Sequence, residues 1–284
     1  MLYAWVGDQK RAPVAKGERT TCRDCGGLLT AVMPVENTPN WRHKAGDCDP
    51  WSEPEGPSHL GWKELFDMAC REIALRDPMT GELHRADVLM GSGTNMATVL
   101  ELQHSSISED ERNARETFYR RRHRMFWLVH IHSENSLLGT YFGMSLDFKS
   151  RVVNLDGKEF AIMRWMGPNK QFIEKWKRAA AHVFFNAGPY IFYLAGPGAS
   201  ARLGGPLKRG EFALCALTRD EFVRAVRGED VRSASRREAT DGAPVRAAMG
   251  IRDRSTKHRQ PRPRAPFPAN GCQTCHEISH FAGR

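Results

Sequence analysis

Two short apolar runs, His84-Arg85-Ala86-Asp87-Val88-Leu89-Met90 and Val99-Leu100-Glu101-Leu102-Gln103, each carry a carboxylate where a buried strand should carry only apolar side chains. No other feature constrains the fold as much, because an ionised carboxylate withdrawn from water is costly unless something positive binds it. Side chains alternate along a strand, so Glu101, Gln103 and Ser105 share one face and Leu100, Leu102 and His104 the other. Paired as neighbours, the two runs bring Asp87 and Glu101 to one small site. Oxygen donors so placed suit Mg²⁺ or Mn²⁺, hard cations that keep several waters for a substrate's phosphate. The alternative is a surface hairpin with one charged face, and the Leu, Val and Met around both acids argue against it.

A second cluster precedes the first. Cys22-Arg23-Asp24-Cys25, followed by Gly26-Gly27, is a tight turn that brings two thiolates within ligand range. His43 and Cys48 extend it to C-x2-C-x17-H-x4-C, close to structural zinc spacing. Residues 1–50 have too thin a core to fold without a staple, which favours a closed zinc site over an isolated first pair. Near the other end, Cys272-Gln273-Thr274-Cys275-His276 matches a C-x-x-C-H haem attachment pattern. With no export signal and a polar tail before it, half a second zinc site from Cys272, Cys275 and either His276 or His280 is the better reading. His258 or a partner chain would complete it. Cys70 and Cys215, in apolar contexts, read as core thiols.

Trp62, Leu65, Phe66, Ala69 and Ile73 recur at helical spacing, predicting a helix from Ser58 as N-cap to about Arg76, ended by Asp77-Pro78. Strands follow across 82–105, broken by Gly91-Ser92-Gly93-Thr94-Asn95. Ser108 with Glu111 is a capping box opening a helix to about Arg124, and Met125 to Ile131 is a buried strand. Beyond 132, Asp156-Gly157 predicts a hairpin between 152–155 and 160–163. A helix near 169–186, strands at 190–195 and 212–217 and a helix from Arg219 to Arg227 complete this block. From 229 to 271 ten Arg or Lys face five acids among several Pro, which reads as a disordered basic tail.

Asp87 with Glu101-x-Gln103 resembles the D…(D/E)-x-K signature of the PD-(D/E)XK nuclease superfamily, in the variant where Gln replaces Lys. More narrowly, residues 1–132 resemble the CoiA-like competence protein family. Cys22-Arg23-Asp24-Cys25-Gly26 with His43 answer to its ribbon, and Arg85 to Leu89 to one strand. Glu101-Leu102-Gln103-His104-Ser105 answers to the next strand, and Arg115 with Tyr119 to the helix after it. The resemblance implies an α/β (α+β) fold: a zinc ribbon at 1–50, a PD-(D/E)XK-type αβββαβ nuclease core at 51–132, an α/β extension at 133–228, and the tail with its Cys/His cluster at 229–284. In the superfamily's commonest pattern Lys helps to orient and deprotonate the attacking water. Gln103 can position a water but carries no charge, so Lys63, which shares a helix face with His59 at i and i+4, is a candidate second cation. Glu64, or Glu53 and Glu55, could add a metal ligand; an ordinary solvated helix face is the alternative for His59, Lys63 and Glu64.

Net charge +9 and a pI near 9.4 favour a polyanionic partner, although an Arg-rich proteome also yields basic proteins. Arg115 and Tyr119, at i and i+4, could hold a scissile phosphate, with Arg121 and Arg122 in the following basic run contacting backbone phosphates. No apolar run approaches the roughly 20 residues of a membrane span, and cytoplasmic residence is the expectation. The expected function is therefore a Mg²⁺- or Mn²⁺-dependent endo- or exodeoxyribonuclease in DNA processing (competence, recombination or defence), with structural zinc and DNA, or RNA, as partner. A catalytically weak nucleic-acid-binding protein and a zinc-scaffolded interaction protein are the rivals.

Overall fold

The computed structural model describes residues 1–46, 48–51, 56–95, 97–131, 142–143, 145–147, 151–168, 170–187 and 190–229. Glu53, Glu55 and the segment holding His258, Cys272, Cys275, His276 and His280 lie outside the described residues.

The chain opens with a hairpin of β1 (Ala4–Val6) and β2 (Gln9–Arg11). A three-stranded antiparallel sheet follows, in the order β3 (Arg19–Thr21), β4 (Leu28–Val32) and β5 (Asn40–His43). Its core is small: Ala4, Cys22, Leu29, Ala31 and Trp41. Such a core buries too little apolar surface to offset chain entropy by itself.

Helix α1 (Pro57–Lys63) leads through a short 3-10 turn at Met68–Cys70 into β6 (Arg71–Arg76), β7 (Leu83–Met90) and β8 (Thr98–Gln103). Then come α2 (Glu109–Arg120) and β9 (Arg124–His130). β10 (Arg151–Leu155) and β11 (Lys158–Arg164) form a hairpin through Asp156 and Gly157, both at positive φ as a two-residue turn requires. The chain continues with α3 (Lys170–Lys177), β12 (His182–Ala187), β13 (Tyr190–Leu194), α4 (Pro197–Ala201), β14 (Glu211–Leu217) and α5 (Arg219–Arg227).

Nine strands make one mixed sheet, ordered β10-β11-β14-β13-β12-β9-β8-β7-β6. Among the described residues only β8/β9 and β9/β12 pair in parallel. The chain is thus mixed α+β, and strands from either side of residue 132 share the sheet. Trp127, Val129, Phe185 and Leu194 pack with Phe118, Tyr119 and Trp176 from α2 and α3. Leu100, Leu102, Phe126 and Phe184 pack with Trp62 from α1 and Phe222 and Val226 from α5. With helices on both faces, every residue of β8 is buried, which explains its nearly continuous apolar run. No described helix is long and apolar enough to cross a membrane.

Three expectations for local structure are corrected. The helix predicted from Ser58 to Arg76 stops at Lys63, with Pro57 in its first turn and Gly56 as N-cap. Arg71–Arg76 is instead a strand, because β7 supplies a ladder and Ile73 and Leu75 pack on the core. The helix predicted over 169–186 ends at Lys177, and the aromatic His182–Ala187 segment pairs with β9. The helix opened by Ser108 ends at Arg120, and Arg124 already belongs to β9.

Candidate metal centre and acidic cavity

The C-x2-C turn is closed by two backbone bonds, Cys22 N–H to Gly27 O at 2.8 Å and Gly26 N–H to Cys22 O at 2.8 Å. Gly26 takes φ +73°, and a Cβ on Gly27 would press within 3.2 Å of the Cys25 thiol. β5 delivers His43 to the same point, and Cys48 follows just after. The donor atoms of Cys22, Cys25, His43 and Cys48 all lie within 4.8 Å of one another, and Cys25 Sγ is 3.4 Å from His43 Nε2. Tetrahedral zinc with Zn–S near 2.3 Å and Zn–N near 2.0 Å would set an S···N separation of roughly 3.5 Å. Three thiols and one imidazole are a donor set that zinc accepts, so this cluster could hold a structural zinc ion. Burial pushes the Cys22 thiol up and that of Cys48 up to about 12, a penalty a bound dication would reverse.

Asp87 and Glu101 occupy a different setting. The β7/β8 ladder runs from Met90↔Thr98 to Val88↔Leu100. Beyond that pair, side chains take over from backbone carbonyls: Asp87 N–H donates to Glu101 Oε1 at 3.4 Å and Leu102 N–H to Asp87 Oδ2 at 2.9 Å. The strands open around a cavity of about 50 Å³, room for an ion and a few waters but not for a nucleotide. Four acids line it, Asp49, Glu72, Asp87 and Glu101, with Lys63, Arg85, Arg115 and His59 among them.

These charges are tightly engaged. Lys63 is fully buried, its Nζ 2.9 Å from Asp87 Oδ1 and 3.0 Å from Glu72 Oε1. Glu72 also accepts the N–H groups of Leu2 and Tyr3 at 2.8 and 3.0 Å. Its backbone sits at φ +47°, strained for a residue with a Cβ at about 1–3 kcal/mol. Arg115 Nη1 lies 3.2 Å from Glu101 Oε2, and its Nη2 donates to Glu111 at 2.6 Å and to the Trp51 carbonyl at 2.9 Å. Ser108 caps α2 as expected by accepting Glu111 N–H, while the Glu111 carboxylate turns to Arg115. Burial, reinforced by the Asp87 carboxylate, pushes Glu101 up to about 8 despite Arg115. For Asp49 burial acts in the same direction, yet hydrogen bonds from His84 and from the Arg85 and Trp51 N–H groups outweigh it and hold its carboxyl below the usual range.

The structure therefore brings Asp87, Glu101, Lys63 and Arg115 together. Gln103 is buried outside the cavity wall, its Nε2 donating to Ser105 O at 3.1 Å beside His59, His104 and His130. The pair expected to clasp a phosphate is turned inward: Arg115 is committed to Glu101, Glu111 and Trp51, and Tyr119 is 1% exposed. Arg121 and Arg122 are exposed beyond the end of α2, with Arg121 paired to Asp77. Glu64 is exposed and does not line the cavity. Two acids escaped the sequence reading, Glu72 because its segment was assigned to a helix and Asp49 because a lone Asp beside a Cys ligand reads as a turn residue. Neither a family model, nor a curated protein, nor a solved structure matches this chain.

Proposed function

We propose that the protein is a divalent-metal-dependent phosphodiester hydrolase acting on DNA, with Asp87 and Glu101 as metal ligands. One observation carries this reading: two carboxylates on adjacent strands replace the ladder where it opens, and an ammonium group lies 2.9 Å from one of them. The order α1, β6, β7, β8, α2, β9 matches the αβββαβ order of the PD-(D/E)XK core and supports it further.

A bound Mg²⁺ or Mn²⁺ would lower the pKa of a coordinated water and neutralise charge developing on the phosphoryl oxygens. The rest falls to the chain. Lys63, anchored by Glu72, supplies the positive charge that Gln103 lacks and can donate to a water inside the cavity. His59 Nε2 lies 2.6 Å from the Leu102 carbonyl and donates to it, which pins α1 to β8. Arg115 holds Glu101 in place rather than touching substrate. The scissile phosphate meets the cavity at its mouth, since the interior is too small for it.

Nicking of duplex DNA that requires Mn²⁺ or Mg²⁺ should vanish in Asp87→Ala while DNA binding survives. Undiminished nicking by that variant refutes the assignment. A second reading, a nucleic-acid-binding protein without cleavage, is favoured by the fact that Lys63 and Arg115 already neutralise the acids. It predicts binding with no divalent-dependent nicking in the unaltered protein. The absence of any gel shift at low salt would instead favour a zinc-scaffolded interaction protein.

A further inference from the structure

We propose that Asp49 is a positioning residue through which zinc in the knuckle holds the acidic cavity in shape, so that zinc occupancy governs divalent-metal binding there. The inference rests on the reading of Asp87 and Glu101 as metal ligands.

Asp49 directly follows the ligand Cys48 and is 4% exposed. Its Oδ1 accepts from His84 Nδ1 and from Trp51 N–H, both at 3.0 Å, and its Oδ2 accepts from Arg85 N–H at 2.8 Å. With three donors on it, its carboxylate organises its neighbours rather than serving as a metal ligand. Two routes lead from it to the acids. The first is β7, where Arg85 stands two residues before Asp87. Asp49 holds the Arg85 backbone, and the knuckle holds its side chain: Nη2 is 2.7 Å from Asp24 Oδ2, 3.6 Å from Cys48 Sγ and 3.9 Å from Cys22 Sγ. The second is Trp51, stacked on His84 with ring centroids 3.2 Å apart. Its carbonyl accepts from Arg115 Nη2, and Arg115 Nη1 holds Glu101.

Without zinc, the Cys48 loop loses its anchor on Cys22, Cys25 and His43. Asp49 then leaves the Arg85 N–H without its acceptor and Trp51 without its tether, and the two metal ligands drift apart. Outer partners of metal ligands matter on the scale of about 10- to 100-fold in affinity. A contiguous chain of contacts alone does not establish coupling, so the test is a cycle.

The full-length protein and Asp49→Asn are each prepared zinc-loaded and zinc-stripped. Each is measured for zinc content, Mn²⁺ affinity by calorimetry, amide exchange at Arg85 and Leu102, and melting of the sheet. Asp49→Asn should keep its zinc and a cooperatively melting sheet, since Asn retains one oxygen for His84 and Trp51 while its amide group faces the Arg85 N–H. Its Mn²⁺ affinity should nevertheless fall on the order of tenfold, with faster exchange at Arg85. Stripping zinc from the unaltered protein should do the same, and stripping it from the variant should add little. Mn²⁺ affinity and Arg85 exchange indifferent to zinc, or two losses that simply add, would overturn the proposal. If the zinc-loaded unaltered protein binds no Mn²⁺, the hydrolase reading fails instead. The coupling is then still decided by Arg85 exchange, zinc-dependent if it holds and zinc-independent if it does not.

Discussion

The knuckle and the acidic cavity meet between Cys48 and Asp49, yet they follow opposite electrostatic plans. In the knuckle three thiols and one imidazole converge, Cys22 buried, Cys48 half-buried and Cys25 exposed, a donor set that could hold a structural zinc ion. In the cavity four acids face Lys63, Arg85 and Arg115, and the network is largely neutral by itself. On the proposed reading the first site would need its metal in order to fold, whereas the second would fold without one and exchange side-chain cations for it. A metal dropped from the knuckle should therefore cost stability, and one dropped from the cavity should cost activity alone.

The largest effect tests that division on the cavity side. Asp87→Ala or Glu101→Ala should lower divalent-dependent cleavage by about 10³-fold or more, since a ligand that places the metal is lost. Melting in chelator should hold or rise in Glu101→Ala, whose charge burial and Asp87 disfavour, and fall in Asp87→Ala, which strips Lys63 and the Leu102 N–H of a partner. A large loss of melting temperature in Glu101→Ala would mean that this acid serves the fold and not a metal. Next in size is the knuckle. Cys25→Ser, at an exposed ligand, should release zinc and destabilise residues 1–51 by about 2–5 kcal/mol, the scale of losing a staple from a thin core. Metal analysis and amide exchange in β3–β5 would read this, and a zinc-free variant with full protection there would break the contrast.

These two sites were unequally legible in the sequence. The knuckle could be read from spacing alone, since a ligand set closed by a tight turn is a local feature. Asp87 and Glu101 stood out because an acid in a doubly buried strand is anomalous wherever that strand pairs. Glu72 did not, since the stripe from Trp62 to Ile73 fits helical spacing and only pairing with β7 makes Arg71–Arg76 a strand. The partner of Lys63 was hidden with it, although Lys63 itself was suspected. The single sheet spanning β6 to β10 was equally beyond reach, because the β9/β12 register depends on contacts far apart in sequence.

A smaller effect concerns protons. Glu101 is raised to about 8 in the folded, metal-free protein, above its ordinary value of 4.5. Folding therefore takes up a proton between those values, and this group's contribution falls as pH rises from about 4.5 to 8 and then levels off. Glu101→Gln lacks the dependence, so in chelator its stability relative to the unaltered protein should climb across that window to on the order of 5 kcal/mol. Saturating Mn²⁺, which needs the ionised carboxylate, should erase the difference. A flat difference from pH 5 to 9 would mean that Arg115 neutralises Glu101 more fully than burial penalises it.

The smallest effect carries the same contrast, a cation already paired against one still exposed, out to the surface. Arg122 is exposed past the end of α2, while Arg121, 49% exposed, is held by Asp77. The Asp77 carboxyl lies below its usual range, first through the N–H of Met79 and then, with burial opposing, through Thr80 and Arg121, so it stays charged and keeps its hold on the guanidinium. If this helix end contacts DNA, each phosphate neutralised adds about 0.9 to the slope of log affinity against log salt. Arg122→Ala should flatten the slope by close to that amount. Arg121→Ala should flatten it by less, because this cation must leave Asp77 before it can replace counterions on the duplex. Equal losses would show that the surface pair does not restrain Arg121. An unchanged slope in both would move the DNA contact away from the end of α2 altogether.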